Sequence, residues 1–480
     1  MFKTVIGLEI HVQLKTKSKM FCGCDNKADE AEPNTLVCPV CLGLPGVLPV
    51  ANRQAIEWVI KTGLALNCEI AEKSKFDRKH YYYPDLPKNY QISQYDAPFA
   101  INGHLEIRNP NDEIRNIRIT RIHLVEDAGK LVHADGESLV DFNRTGTPLM
   151  EVVTEPDIQS PSEAKIFMQE LRSILRYLDV SDADMEKGHL RADANISIAE
   201  IRKPNDEIRM GIPVEVKNLN SFRMVERALL YEEKRQKELL EKGDKIAKET
   251  RGWNDTKGES YSQRSKEFAQ DYRYFPEPDL PPFLTKKLFD IVKLKEEMPE
   301  LPAGKRKRII SDIEKEKGYA SNIHLSLVQQ LIDEPILEDH YNYFIEKGID
   351  KLFALAFVSH QMWGKLKTGT NPDQFHKEVI FSILKAWQEE NINSTKAKEY
   401  FELSLNNPES IKSKLEETGL SEEDLNVVID KVISENPKAV SDIKGGKMEA
   451  MGFLVGLVMK ETSGSANPQF VSKIIKERLQ

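Results

Sequence analysis

Apolar residues occupy every second position from Ile6 through Leu8, Ile10 and Val12 to Leu14. Side chains alternate faces along an extended chain, so this spacing predicts a strand over residues 4–14, with Gly7, Glu9, His11 and Gln13 sharing its other face. A carboxylate and an imidazole two residues apart on one face suit a divalent cation or a proton transfer. Taken alone, the segment also reads as a half-exposed strand with a polar outer side. The alternation returns in residues 191–198, where Arg191, Asp193, Asn195 and Ser197 oppose Ala192, Ala194, Ile196 and Ile198. Residues 148–153 place Glu151 in a strand otherwise apolar on both faces. Residues 117–127 bring Glu126 and Asp127 into a β-rich run just before the turn at Ala128-Gly129.

Helical spacing is clearest after residue 160. Ser160-Pro161-Ser162-Glu163 supplies an N-cap, a proline at the first helical position and a capping-box glutamate. Phe167, Leu171, Ile174, Leu175 and Leu178 follow on one stripe. A second helix is predicted from Ser221 to near Gly243, its run of Glu, Lys and Arg marking a largely solvated face. Strand-like segments, bounded by turns such as Asn109-Pro110-Asn111-Asp112 and Ala134-Asp135-Gly136, otherwise fill the chain up to a proline-dense stretch at residues 274–282. Beyond it the pattern is almost entirely helical, with a turn-rich break at Asn406-Asn407-Pro408. The chain therefore reads as α+β, with a strand-rich domain over residues 1–293, a helical domain over 294–406 and a helical tail over 407–480. Its 480 residues exceed what one core usually serves.

Composition narrows the class. Hydrophobic and charged shares of 40% and 30% are those of an ordinary globular chain. No apolar stretch approaches the ~20 residues a bilayer span needs, and Met1-Phe2 lead directly into the first strand, so a cytoplasmic protein without membrane contact is expected. A net charge of −9 argues against a non-specific nucleic-acid coat but leaves room for a local basic surface that binds RNA.

Four of the five cysteines cluster as Cys22-Gly23-Cys24 and Cys38-Pro39-Val40-Cys41, while Cys68 stands apart. Two close thiol pairs across a short loop can meet around zinc, although C-x-C is tighter than the common C-x2-C; the alternative is a set of reduced thiols without a ligand. Such a four-sulfur site is closed and structural, stapling the loop over residues 22–41. A carboxylate buried in a sheet has to be paired, protonated or bound to metal. A local ion pair, with Arg121 or Lys217 for instance, accounts for any single one. Taken jointly, Glu9, Glu126, Glu151 and Asp193, with His11, can converge on Mg²⁺, which takes oxygen ligands and bridges phosphates. Residues 77–94 interleave Lys79, Tyr81, Tyr82, Tyr83 and Lys88 with amides, placing phosphate donors beside rings able to stack on a base. Alone, that stretch is a tyrosine-rich surface loop.

Together these segments resemble the GatB family, one of the subunit families of the glutamyl/aspartyl-tRNA amidotransferases, over nearly the whole chain. The resemblance rests on TVIGLEIHVQL, SKFDRKHYYYPDLPKNYQISQYD, HLVEDAGK, VDFNRTGTPLMEVVTEPD, LRADANIS, VEVKNLNSF, DYRYFPEPDLPP and GKMEAMGFLVGLVMKETSGSANPQ, in that order. It implies an N-terminal cradle built on antiparallel sheet, holding a kinase and transamidase site, and helical parts ending in a YqeY-like tail that contact tRNA. The implied activity is a glutamine-dependent ligase reaction. ATP activates the side-chain carboxylate of Glu-tRNA(Gln) or Asp-tRNA(Asn) as an acyl phosphate, and ammonia displaces the phosphate. Carried over by motif, Glu9, His11, Glu126 and Glu151 bind the divalent metal, with His11 and Glu126 also catalytic. Lys79, Tyr82 and Lys88 serve the ATP side, Lys79 and Lys88 stabilising the acyl phosphate, and Asp193 lies on the polar strand face of the site. Cys22, Cys24, Cys38 and Cys41 match the zinc-binding version of the family. The implied cofactors are thus ATP, Mg²⁺ and structural Zn²⁺.

Missing signatures sharpen the expectation. Lys444-Gly445-Gly446-Lys447 lacks the spacing and the following Ser/Thr of a Walker A loop. Neither a serine-rich amidase signature nor a Cys/His glutaminase pair is evident, so ammonia has to come from a partner. The resemblance supplies an amidase partner, GatA, and a small clasping partner, GatC, and it allows association with the cognate non-discriminating aminoacyl-tRNA synthetase. From Lys431 to the end of the tail, Lys431, Lys438, Lys444, Lys447, Lys460, Lys473, Lys476 and Arg478 outnumber Glu435, Asp442, Glu449, Glu461 and Glu477. Met451, Phe453-Leu454-Val455 and Leu457-Val458-Met459 can form a helix core, with Gly452 and Gly456 allowing close packing. Composition alone gives a small bundle with solvated lysines; the resemblance adds contact with tRNA. A rival reading is a non-catalytic, zinc-stapled tRNA scaffold whose partners do all the chemistry.

Overall fold

The computed structural model describes residues 2–111, 113–134, 136–200, 211–265, 271–317, 325–417, 422–444, 449–462, 466 and 468–479. Asp112, Asp135 and Gly445 to Lys447, named above in turns and in the Walker A comparison, lie outside them. The chain forms two compact units, Met1–Pro302 and Ala303–Gln480.

The first unit is built on a nine-stranded sheet. From one edge its strands run Glu259–Ser265, Glu249–Asn254, Val214–Leu219, Leu190–Glu200, Phe2–Gln13, Pro148–Thr154, Ile114–Glu126, Ala100–Arg108 and Glu69–Ile70. Every neighbouring pair is antiparallel except Val214–Leu219 with Glu249–Asn254. The first strand lies at the centre, so its aliphatic row is buried: Ile6, Leu8, Ile10 and Val12 are at most 1% exposed. They share one cluster with Ile56, Val59 and Ile60 of helix Arg53–Ala65, Phe167, Leu171 and Leu175 of helix Pro161–Tyr177, and Val225 and Leu229 of helix Phe222–Glu241. Helices therefore cover one face of the sheet and leave the Glu9 face to polar residues.

Local chemistry sets the helix ends. Ser160 Oγ accepts from Glu163 N at 3.2 Å, and Ser221 caps Met224 N in the same way. The Glu163 carboxylate does not close a box on its own cap residue. It accepts from Gln159 N at 2.8 Å and takes a forked contact from Arg115, because that half-buried guanidinium needs a carboxylate partner. Ser160→Ala is expected to destabilise the first unit by about 1 kcal/mol, read by denaturant unfolding. The Phe222–Glu241 helix also departs from a solvated charged face: Glu232 is fully buried and holds Arg235 and Arg251.

A smaller sheet of Phe275–Pro276, Asp77–His80 and Tyr90–Ser93 contributes Lys79 and Gln91 to the basin lined by the Glu9 face. It brings the tyrosine-rich stretch over the central strands.

The described elements of the second unit are all helices. Ile411, beyond the turn at 406–408, packs in one cluster with Ile383, Ile392, Ala397 and Tyr400. Nearer the C-terminus, Met451, Leu454 and Val458 pack with Leu425, Ile429, Val471 and Ile475. Gly452 and Gly456 do not serve close packing there: a Cβ at either would meet nothing within 4 Å, and Phe453 beside them is 55% exposed. Among the described residues no helix is long and apolar enough to cross a membrane.

Candidate active site

Antiparallel register turns scattered residues into a grid. Across four strands, His123 faces Glu151, Glu151 faces His11 and His11 faces Arg191. In the next row Arg121 faces Val153, Val153 faces Glu9 and Glu9 faces Asp193. Both rows lie on the face opposite the aliphatic core and, Val153 apart, line a cavity of about 900 Å³.

Glu151 is the hub. Its Oε1 lies 3.3 Å from His11 Nδ1 and its Oε2 lies 2.9 Å from His123 Nε2. Burial disfavours its charge, but His123 and His11 together outweigh that and hold its pKa well below the ordinary carboxylate value. Burial likewise pulls the His11 pKa down, yet Glu151, aided by Glu9 and Asp193, leaves it raised. Glu9 Oε1 comes within 3.9 Å of His11 Nε2. One ligand atom from each of Glu9, His11 and Glu151 lies within 4.8 Å of the others. Two carboxylates and one imidazole so placed fit a divalent cation with open positions for substrate oxygens.

Glu126, expected as a further ligand, stands apart from this group. Alternation puts it on the other side of its strand from His123. There it pairs with the buried Lys88 and accepts from Ile92 N at 2.8 Å. This pair lines a separate cavity of about 170 Å³ together with Cys22 and Cys41. Gly43, in the left-handed region at φ +66°, abuts Lys88 so closely that a Cβ would fall 2.3 Å from its Cγ. Asp193 lies on the basin face and is paired with Lys217. Lys79 also lines the basin, its Nζ 4.8 Å from the centre of the Tyr272 ring. Tyr82 is 76% exposed and is not among the residues lining the basin.

Sequence pattern missed several groups here. His123 matters through register, which only the fold reveals, whereas Lys217 takes the ion-pair role its sequence position suggested, with Asp193. Tyr272 and Tyr274 come from a distant segment; Tyr274 stacks on Tyr95 with ring centres 4.4 Å apart, walling the basin with aromatic rings. Their signal was the aromatic–cation run DYRY preceding the prolines.

The cysteine cluster has its own geometry. One sulfur from each of Cys22, Cys24, Cys38 and Cys41 lies within 4.8 Å of the others, and all are free thiols. Lys19 beside them is fully buried and has no carboxylate partner among the described residues. Its Nζ donates to Leu36 O at 2.7 Å and lies 3.9 Å from Cys41 Sγ. A hydrogen bond from Cys22, with the Cys38 N–H and Lys19 also contributing, overcomes burial and draws the Cys41 pKa down to about 5. A buried cation facing a thiolate suits a metal held by four sulfurs, since that unit carries net negative charge.

A model of the GatB/GatE catalytic domain matches residues 4–289. The chain belongs to the GatB/GatE family. A second model, of the GatB domain, matches residues 339–479. Proteins named as the B subunit of aspartyl/glutamyl-tRNA(Asn/Gln) amidotransferase are similar over the full length. That of Carboxydothermus hydrogenoformans is 44% identical, over 100% of this chain and 99% of its own. That of Moorella thermoacetica is 45% identical over 100% of both chains. The Thermodesulfovibrio yellowstonii protein is 46% identical over 99% of this chain and 98% of its own. The residues matched by the GatB/GatE catalytic domain enclose the whole grid, the tyrosine wall and the cysteine cluster.

Proposed function

We propose that this chain is the kinase and transamidase component of a tRNA-dependent amidotransferase. It phosphorylates the side-chain carboxylate of Glu-tRNA(Gln) or Asp-tRNA(Asn) with ATP, and ammonia then displaces the phosphate to give the amide. The observation that carries this reading is Glu151 fixed between two imidazoles, with Glu9 alongside, in a basin rimmed by cations and tyrosines. A carboxylate is a poor electrophile, and phosphorylating it requires neutralisation of developing negative charge. Glu9, His11 and Glu151 would hold Mg²⁺, which supplies that neutralisation when bound. Lys79 is placed to meet phosphoryl oxygens, and Asp193 with Lys217 orders the polar floor. Lys88 and Glu126 act from the neighbouring cavity, and Tyr82 remains free to meet nucleotide from the loop. The four cysteines hold structural zinc.

An amidase partner of the GatA type supplies ammonia, a small partner of the GatC type completes the assembly, and the helical unit contacts the tRNA. The test uses the assembled complex with its glutaminase disabled, supplied with ammonium, ATP, Mg²⁺ and misacylated tRNA. His11→Ala is expected to lower amidation by at least about a hundredfold while tRNA affinity stays within twofold. Unchanged turnover would favour the scaffold reading instead.

A further inference from the structure

The basin contains one guanidinium that the fold itself does not use. Lys217 is bound to Asp193, Arg191 donates to Asp127 at 3.2 Å, and Lys79 lies against Tyr272. The Arg121 side chain has no ion pair or hydrogen bond among the described residues; its buried Nε, like that of Arg191, is left without an acceptor, but Arg191 at least has Asp127 for a terminal nitrogen. Buried donors in folded proteins are almost always satisfied, and an unsatisfied one is destabilising unless a ligand supplies the acceptor.

Its placement is specific. On the strand Ile114–Glu126, the pairing with Pro148–Thr154 slips by one residue: Val153 faces Arg121 but Thr154 faces Ile119. Thr120 is the extra residue, and its hydroxyl is taken up by Glu155 at 2.8 Å. Such a bulge re-aims the side chains beside it and is frequent next to active sites. Here it lets Ile117, Ile119, Ile122 and Leu124 all enter the core while Arg121 and His123 both turn to the basin. Along its row Arg121 is two strands from Glu9, about 10 Å at the usual strand spacing, with only the short Val153 side chain between them. Arg121 and Glu9 both line the basin, so a group bound by the guanidinium would lie beside the Glu9, His11 and Glu151 cluster.

We propose that Arg121 is the oxyanion-binding residue of the basin, taking the side-chain carboxylate of the aminoacyl-tRNA or the phosphoryl group transferred to it. A guanidinium fork matches either group with paired hydrogen bonds. Glu151, the nearest carboxylate on the adjoining strand, does not compete because both its oxygens face imidazoles. The inference rests on the basin being the phosphorylation and amidation site.

Arg121→Gln and Arg121→Lys are compared with the unaltered protein in the assembled complex, driven by ammonium, with glutaminase activity as the control for folding. Arg121→Gln is expected to reduce kcat/KM at least about a hundredfold and Arg121→Lys about tenfold, with glutaminase unchanged. A loss confined to the KM for misacylated tRNA identifies the carboxylate as the partner; a loss in the KM for ATP or in ATP cleavage identifies the phosphoryl group. If Arg121→Gln does not fold, Arg121→Lys carries the test. Variants with kcat and both KM values within twofold of the original overturn the proposal. A parallel Glu151→Gln variant separates the two levels: its inactivity beside a fully active Arg121→Gln condemns the arginine's role alone, whereas its full activity condemns the basin.

Discussion

Glu151→Gln is expected to cut ammonium-driven amidation by at least about a thousandfold, the largest effect of any single change in the basin. The substitution keeps the shape of the side chain but removes the charge that holds two imidazoles from opposite sides. An amide can accept from one ring only by presenting its NH₂ to the other, so the His11–Glu151–His123 line cannot survive intact. Metal affinity falls as well, because one of three clustered ligands loses its charge. Breaking a buried charge pair costs about 3–5 kcal/mol, so folding is checked by thermal unfolding and by the partner's glutaminase. Near-normal amidation would remove Glu151 from the chemistry.

A second large effect is expected at the cysteine cluster. With the proposed zinc bound at one per chain, Cys41→Ser should bring the zinc content to nearly none and open the segment 20–47 to proteolysis, while Glu9, His11 and Glu151 keep their geometry. Structural zinc is folding free energy for the loop that binds it. Without the Cys41 sulfur, Lys19 would also be left buried with no anionic neighbour. Elemental analysis and limited trypsin digestion read both outcomes. Native protein purified without zinc, or a variant as protease-resistant as the parent, would show the cluster to be four ordinary thiols.

Much of this site could be read from the chain because a strand writes its two faces in alternate letters. Glu9 and His11 were visible in that way, as was Asp193, and the cysteine pairs announced themselves by spacing. What the letters lack is register. The fact that His123 faces Glu151 depends on pairing between strands far apart in sequence, and no local pattern encodes it. The same gap misplaced Glu126, which shares a strand with His123 but points to the other side, where Lys88 claims it. The bulge did leave a trace: isoleucines at 117 and 119, then apolar residues at 122 and 124, slip the alternation by one. A shift of that kind marks an extra residue, and it would have turned Arg121 toward the polar face. In the helical part, apolar content suggested a core along the helix beginning at Glu449, but only packing distinguishes the buried Leu454 from the exposed Phe453.

Gly43 connects the cysteine cluster to the Lys88–Glu126 pair. It lies two residues beyond Cys41, the last of the four clustered sulfurs, and Lys88 rests against the spot where any larger residue would carry its first side-chain carbon. If the four sulfurs hold zinc as proposed, its loss would loosen that wall and free the lysine from Glu126. The trace-metal supply of the cell would then be felt at an ammonium group that binds no sulfur itself, and a bulkier residue at this one position should mimic starvation for the metal in a fully loaded protein.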